Sequence, residues 1–167
     1  LISIVGESGS GKSTILDMLL ALYDANSGYI FIDELELNKL DKKIWRSKIG
    51  YVSQNIQIIS GTIMSNICLN EDVLKIDKDK FSKAIKIAHL EEFISRQPNN
   101  YSSIVNEGGS NLSAGQMQRI AIARAIYNDN EIIIFDEASN NLNPDLEEKI
   151  LKKFIPFCKS NNITLIN

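Results

Sequence analysis

One histidine, His89, and two cysteines, Cys68 and Cys158, are all the imidazole and thiol metal ligands that this chain offers. None stands at the close spacing of a structural zinc site, so that class of domain is excluded. The two cysteines read instead as reduced, cytosolic packing residues. Long apolar runs are missing too: nothing approaches the roughly 20 residues needed to cross a bilayer. No charged-then-apolar leader opens the sequence. Any membrane role therefore falls to another segment or another chain. Positive charge is not in excess, with 18 basic against 21 acidic residues and a net charge of -3, which argues against nucleic acid as a partner. Nucleotide binding is not excluded, because a few backbone amides and one lysine suffice for it.

What remains is ordinary globular material: 167 residues, 44% apolar and 23% charged, enough for one domain with a lobe inserted into it. Leu1 to Val5 and Ile163 to Ile166 both read as buried strands. A chain that starts and stops in mid-strand is expected to be a piece of a longer sequence. Between these ends the pattern alternates. A helix is expected over Ser13 to Leu22, a short strand over Tyr29 to Asp33, a helix over Ile44 to Lys48, and a strand near Ile49 to Val52. From about Gly61 to Tyr101 the pattern turns helical, clearest over Phe81 to Leu90. A polar loop, Asn106 to Ser110, leads to a helix over Ala114 to Tyr127, a buried strand over Ile132 to Phe135, and a helix over Asp145 to Cys158 opened by Pro144. Strands alternating with helices predict an α/β fold with a mainly parallel sheet and an inserted helical lobe.

Gly6-Glu7-Ser8-Gly9-Ser10-Gly11-Lys12-Ser13 has the spacing of a phosphate loop and stands between a predicted strand and a predicted helix, as that motif requires. Its glycines allow backbone angles closed to other residues, and the amides at the helix start point at an anion. Lys12 is expected to reach the outer phosphates and Ser13 to ligate Mg2+. Asp136 and Glu137 follow a buried strand, at the end where open α/β sheets bind ligands. Asp136 is expected to hold the Mg2+ hydration shell and Glu137 to orient the attacking water. Helix-capping or solvated loop acids are the plainer alternative. Asn111-Leu112-Ser113-Ala114-Gly115-Gln116 precedes a helix, so Ser113 reads first as an N-cap. The same helix end also reads as a second anion site.

Taken together, these residues resemble the nucleotide-binding domain of ATP-binding-cassette (ABC) proteins over essentially the whole chain. Gly6 to Thr14 is similar to the Walker A loop, Ile132 to Glu137 to Walker B with its catalytic glutamate, and Leu112 to Gln116 to the family signature. Tyr51-Val52-Ser53-Gln54 resembles the Q-loop, whose glutamine contacts Mg2+ and water and senses the transmembrane domain. Gly61-Thr62-Ile63 with Asn66-Ile67, and Val105 to Gly109 with Glu107, resemble stretches found in exporters. Glu107 read alone is a solvated loop acid.

The resemblance implies a P-loop NTPase with a RecA-like core over 1–60 and 117–167, a small antiparallel β element, and a helical subdomain over about 61–116. It implies ATP and Mg2+ as ligands, with Gly6 to Thr14, Gln54 and Ser113 to Gln116 binding nucleotide, Ser13, Gln54 and Asp136 serving the metal, and Glu137 as catalyst. It implies a second nucleotide-binding domain in a head-to-tail dimer, and a transmembrane domain, fused upstream or separate, at the cytoplasmic face of the inner membrane. The activity implied is ATP hydrolysis powering export. A soluble ATPase of the same family, in DNA repair or translation, and a nucleotide sensor with weak hydrolysis are the alternatives.

Three positions depart from the family pattern. Ala114 stands where glycine is usual, Asn143 replaces the usual aspartate of the D-loop-like Asn140-Asn141-Leu142-Asn143, and Asn106 replaces a common glycine. The family's stacking aromatic, upstream of the loop, and its switch histidine, downstream of the last strand, are expected outside this sequence. His89 is expected to be a partly exposed helix residue.

Overall fold

The computed structural model describes residues 1–7, 9–69, 75–136 and 142–167. Its centre is a parallel sheet in the order β3-β6-β7, formed by Ile49–Val52 (β3), Ile132–Phe135 (β6) and Thr164–Ile166 (β7). Val52 pairs with Phe135 and Ile134 with Ile166, so the carboxyl ends of the strands share one edge of the sheet. Residues 1–5, expected as a buried strand, are different. They contribute one parallel bridge, Ile2 to Ile166, with Ile4 N–H donating to Asn167 O at 2.7 Å. Val5 is 91% exposed.

Period-two alternation divides the sheet's side chains between two apolar clusters. Ile49, Ile134 and Ile166 face Leu16 and Leu20 of helix α1 (Lys12–Leu19 and its cap) and Trp45 of α2 (Lys42–Ser47). Val52, Ile133, Phe135 and Leu165 face the other cluster. There they meet α6 (Ala114–Tyr127) and α7 (Pro144–Ser160), which are continuous in one core with α3 (Ile63–Cys68), α4 (Lys78–Ile87) and α5 (Glu91–Ser95). Phe135 stacks on Phe154 with ring centres 5.0 Å apart. Two small antiparallel pairs complete the fold: β1 (Phe31–Ile32) with β2 (Leu35–Glu36), and β4 (Gly61–Thr62) with β5 (Ile104–Val105). The class is thus α/β with a parallel sheet and small antiparallel elements. Among the described residues no helix is long and apolar enough to cross a membrane.

Helix ends depart most from the sequence reading. Helix α1 stops at Leu19 rather than Leu22 because Ala21 takes a left-handed conformation, φ 53°. Leu22 N–H then reaches back to Asp17 O and Ala21 N–H to Met18 O, both at 2.9 Å, the pairing that closes a helix through a left-handed residue. His89, φ 52°, ends α4 in the same manner, with Leu90 N–H bonded to Ile85 O. It is therefore half-buried in a turn, not on a helix. Burial, with Lys153 nearby, holds its imidazole pKa below the ordinary value. Cys68 and Cys158 are unpaired and buried, and desolvation pushes both thiols up to about 11, which keeps them inert at neutral pH.

Pro156 lies inside α7 on an exposed position. It can offer no N–H to the carbonyl of Lys152, one turn earlier. Pro156→Ala is expected to raise stability by about 1–3 kcal/mol, read as a higher denaturation midpoint with an unchanged slope.

Candidate functional site

The loop from Gly6 to Ser13 joins the extended residues 1–5 to α1. Gly9 and Gly11 have φ of 80° and 92°, where an L side chain costs about 1–2 kcal/mol. A Cβ on Gly6 would sit 2.6 Å from Ser10 Oγ. These glycines let the backbone wrap around Lys12, whose ammonium donates to Gly6 O at 2.8 Å and Glu7 O at 2.9 Å. Ser10 N–H donates to Glu7 O at 3.2 Å and tightens the turn. Gly11 caps α1 without a side-chain acceptor, and no acid stands in the first turn. The first helical N–H groups are thus left for an external anion. Ser13 and Thr14 are exposed on that first turn, and Ser8 lies outside the described residues.

Asp136 follows β6. Alternation places it on the same sheet face as Ile134, the face that α1 covers. Lys12, Leu16, Phe135 and Asp136 line one cleft of about 290 Å³ with residues 3–5 and Asn167. The cation of the loop and the carboxylate after the strand, 124 positions apart in the chain by their numbers, thus share one space. Asp136 N–H donates to Val52 O at 3.0 Å, which extends the ladder. Tyr51 OH donates to Asp136 Oδ2 at 2.9 Å. Burial, and then this bond to a carboxylate, push the phenol's pKa above its ordinary value. Gln54 is exposed on a bend two residues beyond β3, beside the same edge of the sheet. Glu137, and with it Asn140 and Asn141, lie outside the described residues.

Ser113 begins α6 with a capping box. Its Oγ accepts Gln116 N–H at 3.2 Å, and Gln116 Oε1 accepts Ser113 N–H at 2.8 Å. Ala114 is the first helical residue and is exposed, so its methyl has room and needs no glycine-type backbone. Gly115 follows in the first turn and accepts a hydrogen bond from Arg119 Nε. Among the described residues, Ser113 to Gln116 do not line the Lys12–Asp136 cleft. The turn before them is tied in two directions. Gly108 N–H donates to Ile58 O at 3.1 Å, and Leu112 N–H to Gly109 O at 2.8 Å. A Cβ on Gly109 would meet Met117 Sδ at 2.5 Å. Glu107 stands exposed on that turn. Asn143 caps α7, accepting Leu146 N–H at 2.8 Å, so the amide performs the capping that an aspartate would.

Sequence reasoning missed three residues. In the sequence Tyr51 stands out only within a strand and the Q-loop-like stretch, Asn66 only within a stretch resembling exporters, and Arg124 only within a predicted helix. Asn66 is fully buried and brackets Ile59 through both its N–H and its C=O. Arg124 donates to Asn66 O at 2.8 Å and to Gln57 O at 3.1 Å, tying α6 to the segment after Gln54.

A glycine-rich turn closed on a lysine at a helix start, facing an aspartate at the end of a parallel strand, defines a phosphate-loop nucleotide-binding domain. The family model described as "ABC transporter" matches residues 1–140, and the chain belongs to that family. It is 42% identical over 154 residues to the lactococcin-G-processing and transport ATP-binding protein LagD of Lactococcus lactis subsp. lactis, covering 92% of this chain and 22% of that protein. It is 36% identical over 165 residues to the ATP-dependent lipid A-core flippase of Vibrio vulnificus (strain YJ016), covering 99% of this chain and 28% of that one. Among solved structures it resembles a bacterial Atm1-family ABC exporter with ATP bound, with a TM-score of 0.88 and 34% identity over 99% of this chain and 28% of the exporter. The chain spans less than a third of each of these proteins.

Proposed function

We propose that this chain is the ATP-hydrolysing cassette of a membrane exporter and acts as one of a head-to-tail pair at the cytoplasmic face of the inner membrane. The observation that carries the reading is the shared cleft of Lys12 and Asp136, with the Ser113 helix end left outside it. The loop amides from Gly6 to Thr14 hold the phosphates, and Lys12 exchanges its carbonyl partners for outer phosphate oxygens. Ser113 to Gln116 then serve a nucleotide carried by the partner cassette, through the Ser113 hydroxyl and the α6 amides. The relatives' names, one for lactococcin-G processing and transport and one for a lipid A-core flippase, support export over a soluble role.

Among the described residues no group of three or more acids, histidines and cysteines gathers to hold a metal. One carboxylate and one hydroxyl suit Mg2+, which takes most of its oxygens from water and phosphate. Ser13, Asp136 and Gln54 would hold it, and when bound it neutralises the phosphate oxygens and favours attack on the terminal phosphorus. Glu137 orients the water. The core spans 1–60 and 117–167, with the lobe 61–116 between, and the transmembrane domain drives substrate outward as the cassettes close and reopen.

Glu137→Gln in the full-length protein is expected to lower phosphate release by about 100-fold or more while ATP still binds. Release at the parent rate would overturn the assignment.

A further inference from the structure

The geometry points to Tyr51 as a positioning residue for Asp136, one that fixes the carboxylate in the orientation needed to hold the hydration shell of a nucleotide-bound divalent cation. This rests on the reading of the Lys12–Asp136 cleft as the ATP site.

Three observations carry it. Tyr51 pairs with Ile134 across the β3–β6 ladder, so Asp136, two residues further on the same face, is its diagonal neighbour. The phenol reaches along that diagonal and donates to Asp136 Oδ2 at 2.9 Å. The aspartate stands just past β6, where the regular ladder ends at Phe135, and its χ1 and χ2 are otherwise set only by its surroundings. A hydrogen bond from a ring anchored on the neighbouring strand removes that freedom at little entropic cost, because a tyrosine has two rotors of its own. A carboxylate has two oxygens and about four acceptor positions. Donation at Oδ2 therefore leaves Oδ1 able to accept from metal-bound water, and it selects which oxygen does so.

The chemistry also runs one way. A phenol that donates to Asp136 is an acceptor-poor neighbour of the cation and adds no negative charge, so it orients the aspartate without competing for the metal. Tyr51 does not line the Lys12–Asp136 cleft itself. Its effect is confined to the metal's grip and leaves the loop's own hold on nucleotide intact.

The test uses Tyr51→Phe in the full-length protein, which keeps the ring and removes one oxygen. Mn2+ binding in the presence of a non-hydrolysable ATP analogue is read by electron paramagnetic resonance, and analogue binding without divalent metal by fluorescence. Outer partners of metal-holding residues are worth about 10- to 100-fold in metal affinity, and the lower end applies where water intervenes. Tyr51→Phe is expected to weaken Mn2+ about tenfold, to leave metal-free analogue affinity and the melting temperature unchanged, and to shift the Mg2+ dependence of phosphate release by the same factor without lowering its plateau. In an Asp136→Asn background the same substitution is expected to add nothing. Unchanged Mn2+ affinity in Tyr51→Phe, or an equal loss in the Asp136→Asn background, overturns the inference. A parent protein that binds no analogue overturns the reading of the cleft itself, so the two failures are distinct.

Discussion

Lys12→Ala is expected to abolish phosphate release and to weaken ATP binding by roughly 100-fold, the factor that one or two charge-assisted hydrogen bonds to phosphate supply. The reason lies in the loop's own geometry. The Lys12 ammonium donates to the carbonyls of Gly6 and Glu7, so the loop is arranged around the cation. Removing the ammonium takes away the charge that meets the outer phosphates and the two bonds that hold the turn closed. The aspartate in the same cleft would then face those phosphates without an opposing charge. Isothermal titration with ATP and a phosphate-release assay on the full-length protein read the two losses separately. Parent-like affinity would show that the loop's amides alone hold the nucleotide.

Much of this site was legible in the sequence, and the reasons are particular. Helix α6 begins at Ala114 and ends at Tyr127, as expected, because a serine three residues before a glutamine is a local signal that needs no tertiary knowledge. Strand β6, Ile132–Phe135, matched too, since four apolar residues before an acidic pair leave little choice. Helix α2 starts two residues before the expected Ile44, because Asp41 caps it by accepting from Lys43 N–H and Ile44 N–H, a local signal that the sequence does carry. Other features were not legible. The stops of α1 and α4 fall on Ala21 and His89, residues that seldom take left-handed backbone, where a glycine would have announced the end. What pays for Ala21 is tertiary. Trp45 Nε1 donates to Leu19 O at 2.7 Å and Arg46 to Ala21 O at 3.3 Å, so α2 satisfies carbonyls that the shortened helix leaves open. The Tyr51–Asp136 bond spans two strands whose register no local pattern fixes. The carboxylate of Glu137, named from sequence as the catalyst, lies outside the described residues, and its role rests on the motif and the resemblance.

Ser113 is where two readings of one residue compete. The capping box accounts fully for a serine and a glutamine at these positions, and a cap is worth about 1 kcal/mol. The proposed function asks more of the same hydroxyl: that the exposed start of α6 receive the terminal phosphate of a nucleotide bound to a partner cassette. Ser113→Ala removes both roles at once and so cannot divide them. Aspartate can. As an N-cap it is about as good as serine, and its charge suits the helix start, so it preserves the fold while placing an anion where a phosphate would sit. Two unit charges 4 Å apart repel by about 4 kcal/mol in surroundings of intermediate polarity, equivalent to roughly a thousandfold in rate.

The most direct measurement is therefore phosphate release by full-length Ser113→Asp, with melting temperature and ATP affinity recorded on the same sample. The composite site predicts parent-like melting and ATP affinity with release lowered by about a thousandfold. Release at the parent rate would contradict it and leave Ser113 as a cap alone.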